Sequence, residues 1–188
     1  MRLVCSLTCA VLLTQIFACT KPDAPKTPVT ASQSPLSENY PNLSVQAKEV
    51  NDALARKDFA RFLDLTYSKV IEMSGGREQM TASINKELSQ MEAEGVVLLS
   101  STTGGPTQFV HDTGSIFAVL PVTLKIKAQT GVFQSEGSMI GISADGGANW
   151  TFIDASGKDQ KELSSLLPNV ISKLSLPPDK PPVKIANN

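Results

Sequence analysis

The sequence is poor in the residues that carry most redox and metal chemistry. Its 188 residues include one histidine and three cysteines. Cys5 and Cys9 lie in an apolar stretch at the N-terminus, so Cys19 is the single cysteine of the remaining chain. A lone cysteine excludes an internal disulfide, a cysteine-pair redox site and a cysteine-based metal site. We therefore predict no metal and no cofactor.

Clustered charge is also missing. The formal net charge is −1, and the lysines are spread singly along the chain. Nucleic-acid binding needs basic residues grouped against phosphates, so we predict no nucleic-acid partner. Glycine-rich phosphate loops, calcium loops and serine-nucleophile elbows are absent as well. No sequence motif therefore names a catalytic activity.

The N-terminus has the pattern of a secretion signal. Residues 3–18 follow Arg2 without a charge, and the run is too short for a spanning helix, which needs about 20 apolar residues. Ile16, Ala18 and Cys19 resemble the bacterial lipoprotein signal, with an aliphatic residue at −3 and a small one at −1. The resemblance implies that residues 1–18 are removed and that Cys19 is lipidated. The alternative is an ordinary signal peptide cut nearby, although ordinary cleavage prefers a small residue where Ile16 stands.

Lipidation at Cys19 implies a location in the bacterial cell envelope. Two or more acyl chains hold a protein stably on a membrane. Thr20 follows the cysteine in place of an aspartate, which by the same resemblance favours the outer membrane. Residues 19–42 then form a tether that is rich in proline and poor in large apolar residues, as expected of a semi-rigid polyproline-type spacer.

The periodicity of apolar residues predicts helices before strands. The predicted helices cover 45–56 with Ser44 as N-cap, 59–73 with Asp58 as N-cap, 77–94 and 156–167. Gly75 and Gly76 separate the second helix from the third. The predicted strands cover 96–100, 107–111, 116–128, 131–143 and 150–154. Residues 176–188 form a Pro-rich extended tail, either loose or lying against the domain.

The strand at 116–128 changes character along its length. Its even positions are apolar throughout, whereas its odd positions pass from Phe117 and Val119 to Thr123 and two lysines. A strand that is apolar on both sides at its start and on one side at its end leaves the covered part of a sheet. Pro121 lies within it and donates no ladder hydrogen bond, so we expect a bulge, a bend or an edge position there.

Helices followed by consecutive strands indicate an α+β domain over residues 43–175, with N-terminal helices on one face of a curved antiparallel sheet and a short C-terminal helix. The element order, together with the segments DLTYSKVIEMSGGREQM (64–80) and NWTFID (149–154), resembles the cone-shaped nuclear transport factor 2-like and cystatin-like fold. It also resembles small bacterial lipoproteins of unknown function. The resemblance implies a conical interior and allows a homodimer.

One local motif is complete. Residues 143–150 match the pattern S-x-D-x-G-x-x-W, which resembles the Asp-box turns of β-propellers. A single copy cannot build a propeller, whose blades repeat. We therefore predict a structural turn in which Asp145 binds backbone amides, Gly147 takes a positive φ and Trp150 packs beneath.

Three residues are candidates for a ligand pocket. Tyr67 and Glu72 lie near the glycine end of the predicted second helix, although five positions separate them and their side chains diverge. His111 is the only histidine, and a histidine-dependent mechanism would have to use it. Each of the three also fits a packing or surface role, so no catalytic residue is assigned.

Two functional hypotheses follow. The first is a membrane-anchored, non-catalytic envelope lipoprotein that binds a protein partner or a small apolar ligand. The second is an isomerase or hydrolase that uses the cone interior on a small apolar substrate. The enzyme requires a deep pocket with at least two ionisable groups of shifted pKa. An interior filled by aromatic side chains such as Phe59, Phe62, Phe117 and Phe133 would count against it.

Overall fold

The computed structural model describes residues 38–185. The predicted signal peptide, Cys19 and residues 19–37 of the tether lie outside the described residues. Within that range the helices are α1 (Pro41–Ala55), α2 (Phe59–Asp64), α3 (Ser68–Met73), α4 (Arg77–Ala93) and α5 (Gln160–Leu166), with a 3₁₀ helix at Ile171–Lys173. The strands are β1 (Val97–Thr103), β2 (Gln108–Asp112), β3 (Ser115–Ala128), β4 (Gly131–Ser143), β5 (Thr151–Asp154) and β6 (Lys180–Ile185).

The first helix begins earlier than predicted. The prediction of Ser44 as N-cap was wrong, because Pro41 opens α1 and Tyr40 takes the N-cap position. Proline is favoured in the first turn, where its missing N–H has no helical partner in any case. The helix buries Leu43, Ala47, Val50 and Ala53 on one stripe.

The predicted helix over 59–73 is two helices. Asp58 caps α2 as predicted, since its carboxylate accepts a hydrogen bond from Arg61 N. Residues 65–67 then leave the helix and lie beside β5, where Phe152 N donates to Leu65 O and Tyr67 N donates to Phe152 O. These two bonds replace helical ones with sheet-like ones, so the single-helix prediction was wrong.

The last helix also starts later than predicted. It begins after Asp159, not at Ser156, and Asp159 forms a reciprocal capping box with Glu162. Each residue's carboxylate accepts the other's backbone N–H, so two otherwise unpaired donors are satisfied.

The described strands form one curled, antiparallel sheet of six strands built on β3 and β4. These two pair continuously from Ile116↔Ser143 to Ala128↔Gly131. Each long strand carries two short partners on its outer side: β2 and β1 on β3, and β5 and β6 on β4. The segment predicted as a Pro-rich tail thus contains a strand that lies against the domain.

Helices cover both faces of the sheet, so the prediction of helices on one face was wrong. Alternate residues of β3 point to opposite sides. Ile116, Ala118 and Leu120 pack with α1, whereas Phe117 and Val119 pack with α5 and the chain that follows it. All five are buried, and residues 121–126 are half-buried, as the change of pattern along this strand predicts. The sheet therefore divides the core into two clusters.

Pro121 lies where the edge partner of β3 changes from β1 to β2. The Pro121 carbonyl accepts a hydrogen bond from Gly104 N, in the loop between these two strands. In an extended strand the N and O of one residue face the same side. The missing N–H therefore faces the loop and not β4, which is the edge-type position that the sequence predicts.

Candidate functional site

A gap in the outer edge of β4 defines the candidate site. β5 pairs with residues 139–142 of β4, and β6 pairs with residues 132–136. Residues 137 and 138 lie between the two edge strands. Ser138 is opposite Pro121 in the β3–β4 register, and its side chain shares the sheet face of Ile140 and Ile142. At the gap, the Ser138 side chain therefore lies on the same face as the apolar side chains of one core cluster.

The gap opens into a groove of about 460 Å³. Its apolar lining comes from the core cluster beneath α5 and from the chain beyond it: Ala155, Leu163, Ile171, Leu174, Leu176, Pro177 and Pro178. Its polar lining is Ser138, Lys158, Gln160, Ser172, Ser175 and Asp179. Except for Ser138, these polar residues are exposed. The groove therefore has an apolar wall, a polar rim and one buried hydroxyl.

The chain that leads into β6 closes one side of the groove. Asp179 accepts a hydrogen bond from Gly157 N, and Lys180 forms an ion pair with Glu136 at 2.7 Å. Gly137 lets the loop after β5 approach β4 closely, because a Cβ there would lie 2.1 Å from Ser156 Oγ. Asp179 is thereby bound to the loop after β5, and Lys180 is bound to β4.

Ser138 Oγ has no hydrogen-bond partner among the described protein atoms, although Ser138 is only 2% exposed. The backbone of the same residue is satisfied, since Ser138 O accepts from Ala155 N at 2.9 Å. Most buried polar atoms in folded proteins are paired, so an unpaired hydroxyl needs an explanation. It is the only buried side-chain polar atom in residues 38–185 that lacks a partner.

The Asp-box segment forms a tight, fully bonded turn. Asp145 accepts hydrogen bonds from Asn149 N at 2.9 Å and from Ser143 Oγ at 2.8 Å. The Asn149 side chain donates a further bond to the same carboxylate. The backbone bond from Asn149, followed by the side-chain bonds from Asn149 and Ser143, lowers the pKa of Asp145 to about 2. Trp150 is 1% exposed, and its indole N–H donates to Gly147 O.

His111 lies on β2 and joins a small surface cluster. Its Nε2 is 2.7 Å from a Glu38 carboxylate oxygen, which also accepts a bond from the Tyr40 hydroxyl at 2.9 Å. The hydrogen bond from His111 is the main reason that the pKa of Glu38 is lowered. Burial, and then the contact with Glu38, raises the pKa of Tyr40. The His111 side chain is 56% exposed, so the cluster faces solvent and is not in the groove.

The structure does not bring the three predicted pocket residues together. Tyr67 takes the N-cap position of α3 and packs on the core cluster beneath α5. Glu72 is exposed on α3, and neither residue lines the groove. Their roles as ligand residues stay predictions.

Sequence reasoning missed Ser138, although a signal for it was present. Ser138 precedes Ile140 and Ile142 at spacing two in a strand, so a polar residue occupies a position that faces the core. The groove wall could not be foreseen, because it depends on where residues 171–179 fold back.

Comparison with protein-family models, with curated proteins and with solved structures found no match. Over residues 38–185, no group of three or more His, Cys, Asp or Glu side chains is placed to hold a metal ion. None of the described helices is both long and apolar enough to cross a bilayer.

Proposed function

We propose that this chain is a membrane-anchored lipoprotein of the bacterial envelope, and that its α+β domain is a non-catalytic module that binds a small apolar ligand. The anchor is supported by the sequence around Cys19, with Ile16 and Ala18 at the positions of a lipoprotein signal. By the same argument the outer membrane is the favoured location. A protein partner and a homodimer remain predictions, which light scattering and cross-linking would test.

The observation that carries the binding proposal is the groove at Ser138. It combines about 460 Å³ of space with an apolar wall and a polar rim, and its volume lies within the roughly 300–1,000 Å³ that is usual for ligand sites. The wall belongs to a packed core cluster, so its shape is set before a ligand arrives. A preformed site loses less conformational entropy on binding.

We further propose that the domain is a variant of the nuclear transport factor 2-like fold. Helices that precede a curled antiparallel sheet with two long central strands support this assignment. The cover provided by α5 on the second sheet face, and the closing strand β6, are additions to the expected pattern.

The enzyme alternative requires ionisable groups that share an enclosed site. Phe117 is buried in one core cluster and Phe62 packs against the other, so aromatic rings fill space on both faces of the sheet. The ionisable residues that line the groove are Lys158 and Asp179, both exposed. The geometry therefore favours binding over catalysis.

The anchor is tested by expressing the full chain and its Cys19→Ser variant in a bacterium. We expect the wild-type chain in the detergent-soluble membrane fraction, with a mass increase of its N-terminal peptide that matches acyl chains. Cys19→Ser should lack that mass increase. If the two proteins carry the same N-terminal peptide without lipid, the anchor is excluded and the binding proposal is unaffected.

A further inference from the structure

We propose that the groove takes an uncharged, mostly apolar molecule that carries one hydroxyl or carbonyl oxygen, and that this oxygen hydrogen-bonds to the Ser138 hydroxyl. The inference rests on the proposed binding function and adds the chemical class of the ligand. It combines three features of the groove: the unpaired hydroxyl, the apolar wall and the balance of charge.

The hydroxyl sets the polar requirement. Ser138 lines the groove and is 2% exposed, and its Oγ lacks a partner among the described protein atoms. A buried polar group without a hydrogen bond is costly, so a ligand oxygen that bonds to it removes an existing penalty. A serine hydroxyl both donates and accepts, which suits an alcohol as well as a carbonyl.

The wall sets the apolar requirement. Leu163, Ile171 and Leu174 are each less than 10% exposed and present apolar surface to the groove. A ligand that covers this surface gains from the removal of apolar area from water. Polar groups on the part of the ligand that faces this wall would lose their hydrogen bonds with water.

The charges set the requirement of neutrality. Lys158 and Asp179 supply one positive and one negative charge, both exposed, and Asp179 already accepts a bond from Gly157 N. No charged side chain of the described chain lines the groove at the depth of Ser138. An anionic or cationic head group would therefore lose its hydration at that depth without gaining an ion pair.

The test uses three probes of similar size on the purified full chain: phenol, toluene and benzoate. Phenol and toluene differ in a hydroxyl against a methyl group, and benzoate adds a negative charge. Binding is followed by NMR, with the methyl signals of Leu163 and Ile171 placing each probe in the groove. Ser138→Ala is the test variant, and Ser172→Ala is the matched control at the exposed rim.

We expect phenol to bind the wild-type chain, and benzoate to bind it more weakly. We expect the ratio of the toluene Kd to the phenol Kd to fall by about five-fold in Ser138→Ala, as a single hydrogen bond allows, and to stay unchanged in Ser172→Ala. The ratio cancels effects that are common to both probes, including any small change in the fold.

Two other results distinguish a failure of this inference from a failure of the proposed binding function. If phenol and toluene shift the groove methyl signals while the ratio of their Kd values is the same in Ser138→Ala and in wild type, the proposed ligand class is wrong. It is also wrong if benzoate binds most tightly. In both cases the proposal that the domain binds a small ligand is unaffected. If no probe shifts those signals, the ligand class is wrong and the groove also loses its proposed role.

Discussion

The ring of Tyr40 fills the space that a side chain at Gly147 would need. A Cβ built on Gly147 would lie 2.2 Å from Tyr40 Cδ1, and Gly147 has a φ of +94°. The same ring packs edge-on against Trp150, with ring centroids 5.6 Å apart. The N-cap residue of α1 is thus packed directly onto the Asp-box turn, which links the start of the described chain to the end of β4.

Gly147→Ala should be more destabilising than the same change at its neighbour. Gly146 also has a positive φ, of +73°, but a Cβ there meets nothing within 4 Å. We expect Gly146→Ala to lower the free energy of unfolding by about 1 kcal/mol through backbone strain. Gly147→Ala should cost about 1–3 kcal/mol more, because the methyl group overpacks against Tyr40. Urea denaturation measures both.

The Tyr40→Ala background provides the control for this argument. With the Tyr40 ring removed, Gly146→Ala and Gly147→Ala should lower the free energy of unfolding by similar amounts. If Gly147→Ala stays the worse of the two by the same margin, then the backbone and not the ring causes the difference.

Asp145 should make stability depend on pH in the acid range. Its folded-state pKa of about 2 lies below the ordinary value of 3.8. A depressed carboxyl pKa contributes stability above the ordinary value, and that contribution is lost as the pH falls through the folded-state value. We expect Asp145→Ala to be less stable than wild type at pH 6, and the difference to narrow between about pH 4 and pH 2. Thermal denaturation across that range checks it.

Asn149→Ala tests the cause of this shift. It removes the side-chain donor and leaves the backbone N–H that also bonds to Asp145. The pKa of Asp145, followed by carboxyl NMR, should rise part of the way towards its ordinary value. An unchanged pKa would show that the Asn149 side chain is not a cause.

His111→Ala should raise the pKa of Glu38. The hydrogen bond from His111 is the largest cause of the lowered pKa, and the bond from Tyr40 is a smaller one. We therefore expect a larger rise in His111→Ala than in Tyr40→Phe, measured by NMR titration of the Glu38 carboxyl group. The reverse order would mean that Tyr40 is the main partner of Glu38.

Long strands were predictable from the sequence because their pattern is local. The bounds predicted for β4 match the structure at both ends, and those for β3 differ by one residue. Alternating apolar residues and bounding glycines encode both strands without reference to the rest of the chain. The Asp159 and Glu162 capping box was equally local, and the predicted start at Ser156 overlooked it.

The features that the sequence did not predict depend on contacts between residues that are far apart in the chain. The break at Thr66 exists because its neighbours bond to Phe152, which is 86 positions further along the chain. The second face of the sheet is covered by residues 160–174, and this depends on where that segment folds back. The spacing of its apolar residues would fit a helix on either face of the sheet, so the sequence does not select one. The groove was not predictable for the same reason, since part of its wall is made by that segment.

Ser138→Ala should stabilise the protein in the absence of ligand. The substitution removes a buried hydroxyl that has no partner among the described atoms, and burying such a group costs about 1–3 kcal/mol. Ser143→Ala is the matched control on the same strand: Ser143 is 1% exposed, but its hydroxyl donates to Asp145 and accepts from Gly147 N.

We expect the two substitutions to change the free energy of unfolding in opposite directions. Ser138→Ala should raise it by about 1 kcal/mol, and Ser143→Ala should lower it by about 1–2 kcal/mol. A buried hydroxyl with hydrogen-bond partners stabilises the folded state, whereas one without partners destabilises it. Urea denaturation of the ligand-free chain provides both values. If Ser138→Ala is destabilising to the same extent as Ser143→Ala, the Ser138 hydroxyl is already satisfied, for instance by an ordered water. A ligand oxygen would then have to displace that partner, and it would gain little affinity from Ser138.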